Sequence, residues 1–379
     1  MNCKSYLAIA VASLLSHATG MEVSAQIVRG AVTIQDPSKA ASAATIDYVN
    51  AKPMDLPKTS AAPADLIRAL TSPASLGTPG LVAGAAGNGQ QSPVWLGMAA
   101  VADDEITPQE FGTNNHPFST ARADLFTLAT NTQYPYRASG KLFFTKPGVT
   151  GTFVCSASLI KRGVVVTAAH CVSRFGASQF YQNIRFVPGY RNGIAPYGTW
   201  TGIPAVMTSY FNGTDPCTTA GVVCANDVAV IRLTAQGGAF PGTSTGWYGY
   251  GFGGYGFTAG RLTHITQIGY PVCLDNGLLM ERNDSHGFTN AAQVNNTIIG
   301  SLMCGGSSGG PWLVNFGIRP ALTGTTAGTA SATNVVVGTT SWGYTSTAPK
   351  QQGASPFTSG NIVPLLNSAC GSPLLPQCL

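Results

Sequence analysis

Charged residues are scarce in this sequence. Only 9% of its 379 residues are Asp, Glu, Lys or Arg, and the formal net charge is a modest +5. The Lys and Arg residues are scattered without a basic run, which argues against nucleic acid or an anionic membrane as a partner. Small uncharged residues are abundant instead, including 46 glycines. This composition favours a loop-rich, mostly β protein that can bury a core.

The sequence also lacks an apolar run long enough to cross a membrane. The apolar segment at residues 6–15 has about ten residues, whereas a membrane span needs roughly twenty. It follows Lys4 and precedes the small residues Val23-Ser24-Ala25, which is the order of parts in a secretory signal peptide. Residues 1–25 are therefore predicted to be a signal peptide, with cleavage after Gly20 as an alternative. The expected location is extracellular, or else periplasmic, with no membrane contact after cleavage.

Metal-ligand spacing is absent as well. No C-x-x-C pair occurs, and no nearby histidine has ligand spacing, so a zinc site is disfavoured. Of nine cysteines, Cys3 would leave with the signal peptide. The cysteines that remain are even in number and are sent to an oxidising compartment, so disulfides are expected.

What the sequence does contain is a glycine-crowded loop with a serine at its centre, Cys304 to Pro311. Glycines on both sides of Ser308 allow backbone conformations closed to other residues, and they let amide N–H groups come close to a substrate. We interpret Ser308 as a nucleophile. Because a serine hydroxyl attacks poorly at neutral pH, this hypothesis requires a base within hydrogen-bond reach and an acid that orients the base.

Two upstream segments offer the base and the acid. His170 comes soon after the β-branched run Val164-Val165-Val166, so a buried strand would deliver its imidazole to a site. Asp227 begins a second apolar strand, Val228 to Leu233, and would hold His170 in one tautomer.

The serine loop also satisfies G-x-S-x-G at residues 306–310, which is the nucleophile elbow of α/β-hydrolases. In that fold the serine comes first and the histidine last, whereas here the order is His170, Asp227, Ser308. The elbow also needs a helix directly after the serine, and Gly309-Gly310-Pro311 is a poor helix start. Chain order therefore rejects this alternative.

The three blocks resemble those of the chymotrypsin-like (trypsin-like) serine endopeptidases, especially secreted bacterial ones. Thr167 to Cys171 and Gly309-Gly310-Pro311 match the family motifs letter for letter. Ser341-Trp342-Gly343 is similar to the family's strand that pairs with substrate backbone and walls the specificity pocket. The resemblance covers residues 116–379. It implies an all-β fold of two six-stranded antiparallel β-barrels, with the active site in the cleft between them and a short C-terminal helix.

The resemblance also sets the expected domain boundaries. Residues 116–379 would be the protease domain. Residues 26–115 are rich in Ala, Pro, Ser and Gly and would be a prosegment or a flexible linker, with one short helix over residues 63–70. Near the end of the chain, residues 361–369 would form the terminal helix, with Pro364 in its first turn.

The family mechanism, carried over by resemblance, has Ser308 attack a peptide carbonyl while His170 accepts its proton and Asp227 orients the imidazole. The backbone N–H groups of Gly306 and Ser308 would form the oxyanion hole. The substrates would be proteins or peptides, the chain would act as a monomer, and no metal or organic cofactor is required.

Five residues are expected near the substrate: Leu302, Thr340, Ser341, Trp342 and Gly343. Leu302 stands where an acidic residue would mark a preference for Lys or Arg. Thr340 stands where a histidine would mark a preference for glutamate. An apolar or small side chain is therefore expected immediately before the scissile bond.

The sequence departs from the family at Ser307, because an aspartate commonly precedes the nucleophile. In animal members that aspartate pairs with the newly cut N-terminus, and a serine cannot supply this charge. Activation by that ion pair is therefore not expected, and any zymogen control would act through steric cover by the prosegment. The alternative function is a catalytically inactive binding module of the same fold.

The resemblance implies a disulfide that pins the histidine loop, and short spacing suggests two small closed loops, which leaves one further pair. The expected pairings are Cys155–Cys171, Cys217–Cys224, Cys370–Cys378 and Cys273–Cys304. In the family, the cysteine before the nucleophile loop usually pairs with one that follows the Ser-Trp-Gly strand. Cys304–Cys370 is therefore the competing pairing.

Overall fold

The computed structural model describes residues 26–60, 76–97, 110–112, 117–124, 128–318, 330–344, 350–371 and 375–379. The predicted signal peptide and the predicted helix over residues 63–70 lie outside the described residues. Strands dominate the described part of the chain. In chain order they are β1 (Gln26–Arg29), β2 (Val32–Gln35), β3 (Lys52–Pro53), β4 (Lys58–Thr59), β5 (Gly80–Val82), β6 (Val94–Trp95), β7 (Glu110–Gly112), β8 (Phe118–Arg122), β9 (Ser139–Lys146), β10 (Val149–Lys161), β11 (Val164–Thr167), β12 (Ser173–Arg174), β13 (Gln179–Phe180), β14 (Gln182–Pro188), β15 (Ile194–Ala195), β16 (Trp200–Met207), β17 (Cys217–Thr219), β18 (Val222–Cys224), β19 (Ala229–Leu233), β20 (Gly249–Phe252), β21 (Leu262–Gly269), β22 (Glu281–Asn290), β23 (Asn296–Gly300), β24 (Pro311–Val314), β25 (Val335–Tyr344) and β26 (Gln351–Pro356).

Helices are short in the described residues. The α-helices are α1 (Thr208–Asn212), α2 (Gly242–Thr245) and α3 (Ile362–Cys370), and the 3-10 turns are Pro37–Lys39, Thr130–Thr132, Tyr136–Ala138, Ala169–Cys171, Asp275–Gly277, Ala291–Gln293 and Pro376–Cys378. Within the described ranges, no helix is long and apolar enough to cross a membrane.

Six antiparallel strands close the first barrel. Their order is β16-β14-β9-β10-β11-β19, and pairing of β16 with β19 completes the cylinder. The strand β11 is fully buried along its length and consists of three valines and a threonine, which suit a pleated, packed surface. Closure leaves no unpaired edge within these strands, so the backbone N–H and C=O groups are satisfied internally.

The second barrel closes in the same way. Its strands follow the order β21-β24-β25-β26-β23-β22, and β21 also pairs with β22. The two closed six-stranded antiparallel barrels and the short C-terminal helix confirm the predicted chymotrypsin-like fold. The segments that carry Ser308 and Gly343 belong to this barrel, whereas His170 and Asp227 belong to the first, so a site that uses all four must lie between the barrels.

The C-terminal helix α3 is confirmed close to its predicted bounds. The side chain of Asn361 caps it by accepting a hydrogen bond from the backbone N–H of Ile362 at 2.6 Å. Pro364 lies in the first turn, where its missing N–H costs no intrahelical hydrogen bond. Leu365 and Leu366 are buried in the same apolar cluster as residues of the first barrel.

Residues 26–97 add strands to both barrels. The hairpin β1-β2 extends the first barrel through pairing of β2 with β16. Further along the chain, β3 runs parallel to β10 and β4 runs parallel to β25. The later strands β5 and β6 pair with β20 and β15. The division of the chain into a prosegment and a protease domain at residue 115 stays a prediction.

Four disulfides are present in the described residues. They are Cys155–Cys171, Cys217–Cys224, Cys273–Cys304 and Cys370–Cys378. These are the pairings expected from the sequence, and Cys304 is therefore joined to Cys273 rather than to the competing Cys370.

We expect packing inside the first barrel to decide stability. Leu159 is fully buried, whereas Leu262 at the start of β21 is 45% exposed. Leu159→Ala should lower the free energy of unfolding by about 2–5 kcal/mol, because it removes buried methyl groups and leaves a cavity. Leu262→Ala is the matched control and should cost about 0.5 kcal/mol or less. Denaturant unfolding of both variants measures the difference, and equal losses would contradict the assignment of Leu159 to the core.

Candidate active site

The site is built around a buried pair formed by His170 and Asp227. His170 lies in the 3-10 turn Ala169–Cys171, directly after β11, and the Cys155–Cys171 disulfide ties this turn to β10. Its ring Nδ1 lies 2.8 Å from Asp227 Oδ2, and its backbone N–H donates to Asp227 Oδ1 at 2.9 Å. The carboxylate therefore fixes both the ring and the backbone of His170, and a protonated Nδ1 is the tautomer that can donate to it.

Asp227 is also held from the second barrel. It is 1% exposed. The hydroxyl of Ser341 donates to its Oδ2 at 2.6 Å, and its backbone N–H donates to Ser355 Oγ at 3.2 Å. Sequence reasoning expected Ser341 near the substrate and did not anticipate this bond, since nothing in the sequence marks a contact between residues 114 positions apart. The carboxylate thus accepts hydrogen bonds from both His170 and Ser341.

The serine loop docks on the first barrel through backbone contacts. The Ser308 carbonyl accepts a hydrogen bond from the Ser156 N–H of β10 at 2.7 Å. Gly309 adopts a positive φ of 77°, and a Cβ there would collide with Thr167 Oγ1 and the Ser156 carbonyl. Only glycine fits this position. The loop is therefore pressed against the end of the strand that leads to His170.

Two atoms of the proposed reaction have no hydrogen-bond partner among the described residues. Both Ser308 and His170 are buried, at 0% and 5% exposure. Among the described residues, neither Ser308 Oγ nor His170 Nε2 has a hydrogen-bond partner. Buried polar atoms without partners are uncommon and are found at reactive sites. Ser308 Oγ and His170 Nε2 therefore do not hydrogen-bond to each other here, and both atoms are shielded from solvent.

Ser307 has a structural place of its own. Its hydroxyl donates to the Cys304 carbonyl at 2.7 Å, and the side-chain amide of Gln352 lies 3.4 Å from the same hydroxyl. Gln352 also donates to the Met303 carbonyl at 2.7 Å. The loop is thus held by neutral hydrogen bonds at the position where the family commonly has an aspartate.

The N–H of Gly306, expected in the oxyanion hole, points at a backbone carbonyl. It donates to Met54 O at 3.3 Å. Gly306 has a φ of 95°, and a Cβ there would collide with the Tyr270 carbonyl, so the position requires glycine. Sequence reasoning did not anticipate Met54 at this place, because Met54 lies far earlier in the chain, in the segment predicted to be a prosegment or linker.

A cavity of about 360 Å³ lies beside the loop. Its walls include Leu302 and Gly343, both of which were expected near the substrate. The other lining residues are Leu56, Lys58, Cys273, Ser301, Met303, Cys304, Gly305, Tyr344, Lys350, Gln351 and Gln352. Side chains of two further expected residues are bonded elsewhere: Thr340 Oγ1 accepts from Gln267 and Trp312, and Trp342 Nε1 donates to Asn296.

A neighbouring loop braces the serine loop. The Val272 N–H donates to the Gly305 carbonyl at 2.9 Å, and the Cys273–Cys304 disulfide joins the same two loops. Asp275 then binds Arg122, with Arg122 Nε donating to Oδ2 at 2.6 Å. Burial acts to raise the pKa of Asp275, but the hydrogen bonds from Arg122 and Glu281 and the positive charge of Arg122 together outweigh burial, so the pKa is lowered from its ordinary value.

Glu281 lies under this loop, and the pKa of its carboxyl is shifted in the opposite direction to that of Asp275. It is 2% exposed. Burial, followed by its hydrogen bond and repulsion with Asp275, raises the pKa of Glu281 to about 9. Glu281 is therefore protonated at neutral pH and can share its proton with the Asp275 carboxylate.

Two closed barrels with an Asp-His pair and a serine loop at their junction define a chymotrypsin-like serine endopeptidase fold. The family model described as Trypsin matches residues 128–361, more than half of the chain. The chain belongs to the trypsin family of serine endopeptidases.

Individual relatives match less of the chain. An extracellular metalloprotease of Bacillus subtilis (strain 168) is 31% identical over 123 residues, which is 32% of this chain and 36% of the relative. The chain therefore matches about a third of the length of that curated relative.

Among solved structures, the protease Anisep from Arthrobacter nicotinovorans is 25% identical, covering 62% of this chain and 95% of that chain with a TM-score of 0.48. The thermostable serine protease AL20 from an extremophilic microorganism is 26% identical, covering 59% and 93% with a TM-score of 0.44. Because both TM-scores lie below about 0.5, the family assignment rests on the family model instead.

Two groups of described residues bring potential metal ligands together. They are Cys155 with His170 and Cys171, and Asp215 with Cys217 and Cys224. All four cysteines are in disulfides. A disulfide sulfur is not a thiolate ligand, so each group retains only one potential zinc ligand, His170 or Asp215.

We expect Glu281 to make stability depend on pH. The pKa of its carboxyl is about 9 in the folded chain, against an ordinary value of 4.5. The folded state thus binds more protons between these values, and the stabilisation is present below 4.5 and lost as pH rises through 9. Glu281→Gln should gain melting temperature relative to wild type as pH rises from about 5 to about 9 and should level off above that range. Asp36→Asn, at an exposed carboxyl, should show no such trend, and a flat difference for Glu281→Gln would contradict the assignment.

Proposed function

We propose that this chain is a secreted serine endopeptidase in which Ser308, His170 and Asp227 act as nucleophile, base and orienting acid. The observation that carries the proposal is the pair of hydrogen bonds between His170 and Asp227. The ring Nδ1 lies 2.8 Å from Oδ2, and the backbone nitrogen lies 2.9 Å from Oδ1. Docking of the serine loop on Ser156 supports it, because it brings Ser308 to the same end of β10 and β11. The four disulfides fit an oxidising compartment.

In the proposed reaction, Ser308 Oγ attacks the carbonyl carbon of a peptide bond and gives its proton to His170 Nε2. The tetrahedral intermediate collapses, His170 returns the proton to the leaving amine, and an acyl-enzyme remains. Water then repeats the sequence and frees the acid product. Asp227 stabilises the imidazolium that forms in each step.

The negative oxygen of each tetrahedral intermediate would lie between the N–H groups of Gly306 and Ser308. Each such donor contributes about 3 kcal/mol to transition-state stabilisation. Gly306 supports this role because its N–H already donates to a carbonyl oxygen at 3.3 Å.

The cavity lined by Leu302 and Gly343 would take the side chain of the residue before the scissile bond. No carboxylate of the described residues lines it. We therefore propose a preference for an apolar or small side chain there. The substrates would be proteins or peptides, and the enzyme would act as a monomer.

The test of this function compares three variants with the wild-type chain, by hydrolysis of fluorescent casein and by reaction with a fluorophosphonate label. Ser308→Ala should lose both hydrolysis and labelling. Asp227→Asn should lower turnover by about four orders of magnitude, since it favours the wrong histidine tautomer. Asp284→Asn, on strand β22 of the second barrel, is the control and should retain activity.

The inactive binding module predicts a different result. A correctly folded chain that neither hydrolyses casein nor labels, even after limited nicking with trypsin, would favour that alternative. N-terminal sequencing and intact mass of each preparation show whether residues 26–115 have been removed.

We expect one substitution to change the preferred residue. Leu302→Asp places a carboxylate in the cavity and should raise the relative rate for Lys or Arg before the scissile bond about tenfold or more, because a charge-assisted hydrogen bond contributes about 1.5–3 kcal/mol. A library of fluorogenic peptides measures the change. Leu262→Asp, at an exposed leucine, is the matched control, and an unchanged preference in Leu302→Asp would show that this cavity does not bind that side chain.

A further inference from the structure

A segment from the N-terminal part of the chain lies across the candidate site. Residues 52–59 contact both barrels at the strands that flank Ser308. The Met54 N–H donates to the Val154 carbonyl of β10 at 2.8 Å, and the Met54 carbonyl accepts from Gly306 at 3.3 Å. The Pro57 carbonyl then accepts from the Gly343 N–H of β25 at 2.8 Å. The segment therefore uses the backbone groups that a substrate would need.

One side chain of this segment reaches the specificity cavity. Leu56 is 6% exposed and forms part of the cavity wall. Its Cδ2 lies so close to Gly343 that a Cβ on that glycine would be 2.8 Å away. An apolar side chain of this segment thus lies at the cavity proposed for the substrate residue before the scissile bond.

The direction of the segment is opposite to that of a substrate. In a substrate, the side chain in the cavity belongs to the residue whose carbonyl Ser308 attacks, and the residues before it continue along that wall. Here the carbonyl at Gly306 belongs to Met54, whereas the side chain at the cavity belongs to Leu56, two residues later. Both short strands agree with this direction, since β3 is parallel to β10 and β4 is parallel to β25.

The reversed direction also protects the segment from attack. Cleavage after Met54 would need His170 to protonate the Asp55 nitrogen. In a substrate the leaving nitrogen lies on the side away from the cavity, but in this segment Asp55 lies on the cavity side. Compared with the scissile bond of a substrate, the peptide bond between Met54 and Asp55 therefore has its carbonyl side and its nitrogen side in exchanged positions.

We propose that residues 52–59 are a built-in competitive inhibitor that fills the substrate cleft backwards, with the Met54 carbonyl at Gly306 and Leu56 at the cavity. The inference rests on the proposed function, since it describes how that site is controlled. It also gives a physical means of control that needs no charge at Ser307. A free peptide of this sequence should bind the open cleft in the same direction and should not be cut.

The test measures the rate at which the intact full chain reacts with a small fluorophosphonate. Leu56→Asp should label about tenfold faster or more than wild type, because burial of a leucine side chain contributes at least that factor to an equilibrium. Leu56→Ala should give a smaller increase. Leu262→Asp, at an exposed leucine of β21, is the matched control and should label at the wild-type rate. The double variant Leu56→Asp with Ser308→Ala gives the background rate of labelling in the absence of Ser308. Circular dichroism checks that each chain is folded.

A fluorescein-labelled peptide of residues 51–59 provides the second measurement. Added to the Leu56→Asp chain, it should bind, slow labelling competitively and stay intact by mass spectrometry, whereas the same peptide with Leu56→Asp should not bind. Equal labelling of wild type and both folded Leu56 variants overturns the inference, and so does cleavage of the peptide between Met54 and Asp55.

Failure of the proposed function would be seen separately. If no chain labels, the protease proposal fails, and peptide binding alone decides the inference. Saturable binding that is stronger in Leu56→Asp than in wild type would support an occupied cleft. No binding to either chain would overturn it.

Discussion

The carboxylate of Asp227 is the interaction on which the arrangement of the site depends. It accepts hydrogen bonds from His170 in the first barrel and from Ser341 in the second. A buried charge is stable only when its lone pairs are satisfied, so the two barrels must meet in one register to satisfy it. The same register brings the Ser308 loop onto Ser156. A single buried group thus links the packing of two barrels to the geometry of one histidine.

Neutral groups carry much of the remaining order at the site. The serine loop is held by the Ser307 hydroxyl, the Gln352 amide and the backbone of Ser156, none of which changes charge near neutral pH. Charged side chains lie behind the loop that supports Gly305, where Arg122 binds Asp275 and the protonated Glu281 lies beside Asp275. In this group the Asp275 carboxylate is bonded to Arg122, so its negative charge has a specific partner.

Local sequence patterns were enough to propose the residues of the reaction. His170, Asp227 and Ser308 each stand at the end of an apolar strand or in a glycine-rich loop, and each of these signals lies within a few residues of the side chain it marks. The two barrels and the C-terminal helix were implied by the family resemblance that the same motifs carry. Such features depend on nearby residues, so a single sequence contains them.

The features that were missed depend on residues far apart in the chain. Ser341 reaches Asp227 across the barrel junction, and Leu56 reaches Gly343 between strands only two residues long. Two-residue strands such as β3 and β4 have too few side chains to show an alternating pattern. Their sequence therefore looked like a spacer, and only the partner strand determines where they lie.

The hairpin β1-β2 has a consequence for what happens once the main chain is cut. It is joined to β16 by a sheet ladder, Gln35 donates to the Tyr181 carbonyl, and Arg29 donates to the Ser368 carbonyl. A cut on the C-terminal side of residues 52–59 leaves these bonds in place. Residues 52–59 then stay beside the cleft at a high effective concentration. Their departure is then a unimolecular dissociation whose rate is set by the anchoring hairpin, so cutting and opening are separate events in time.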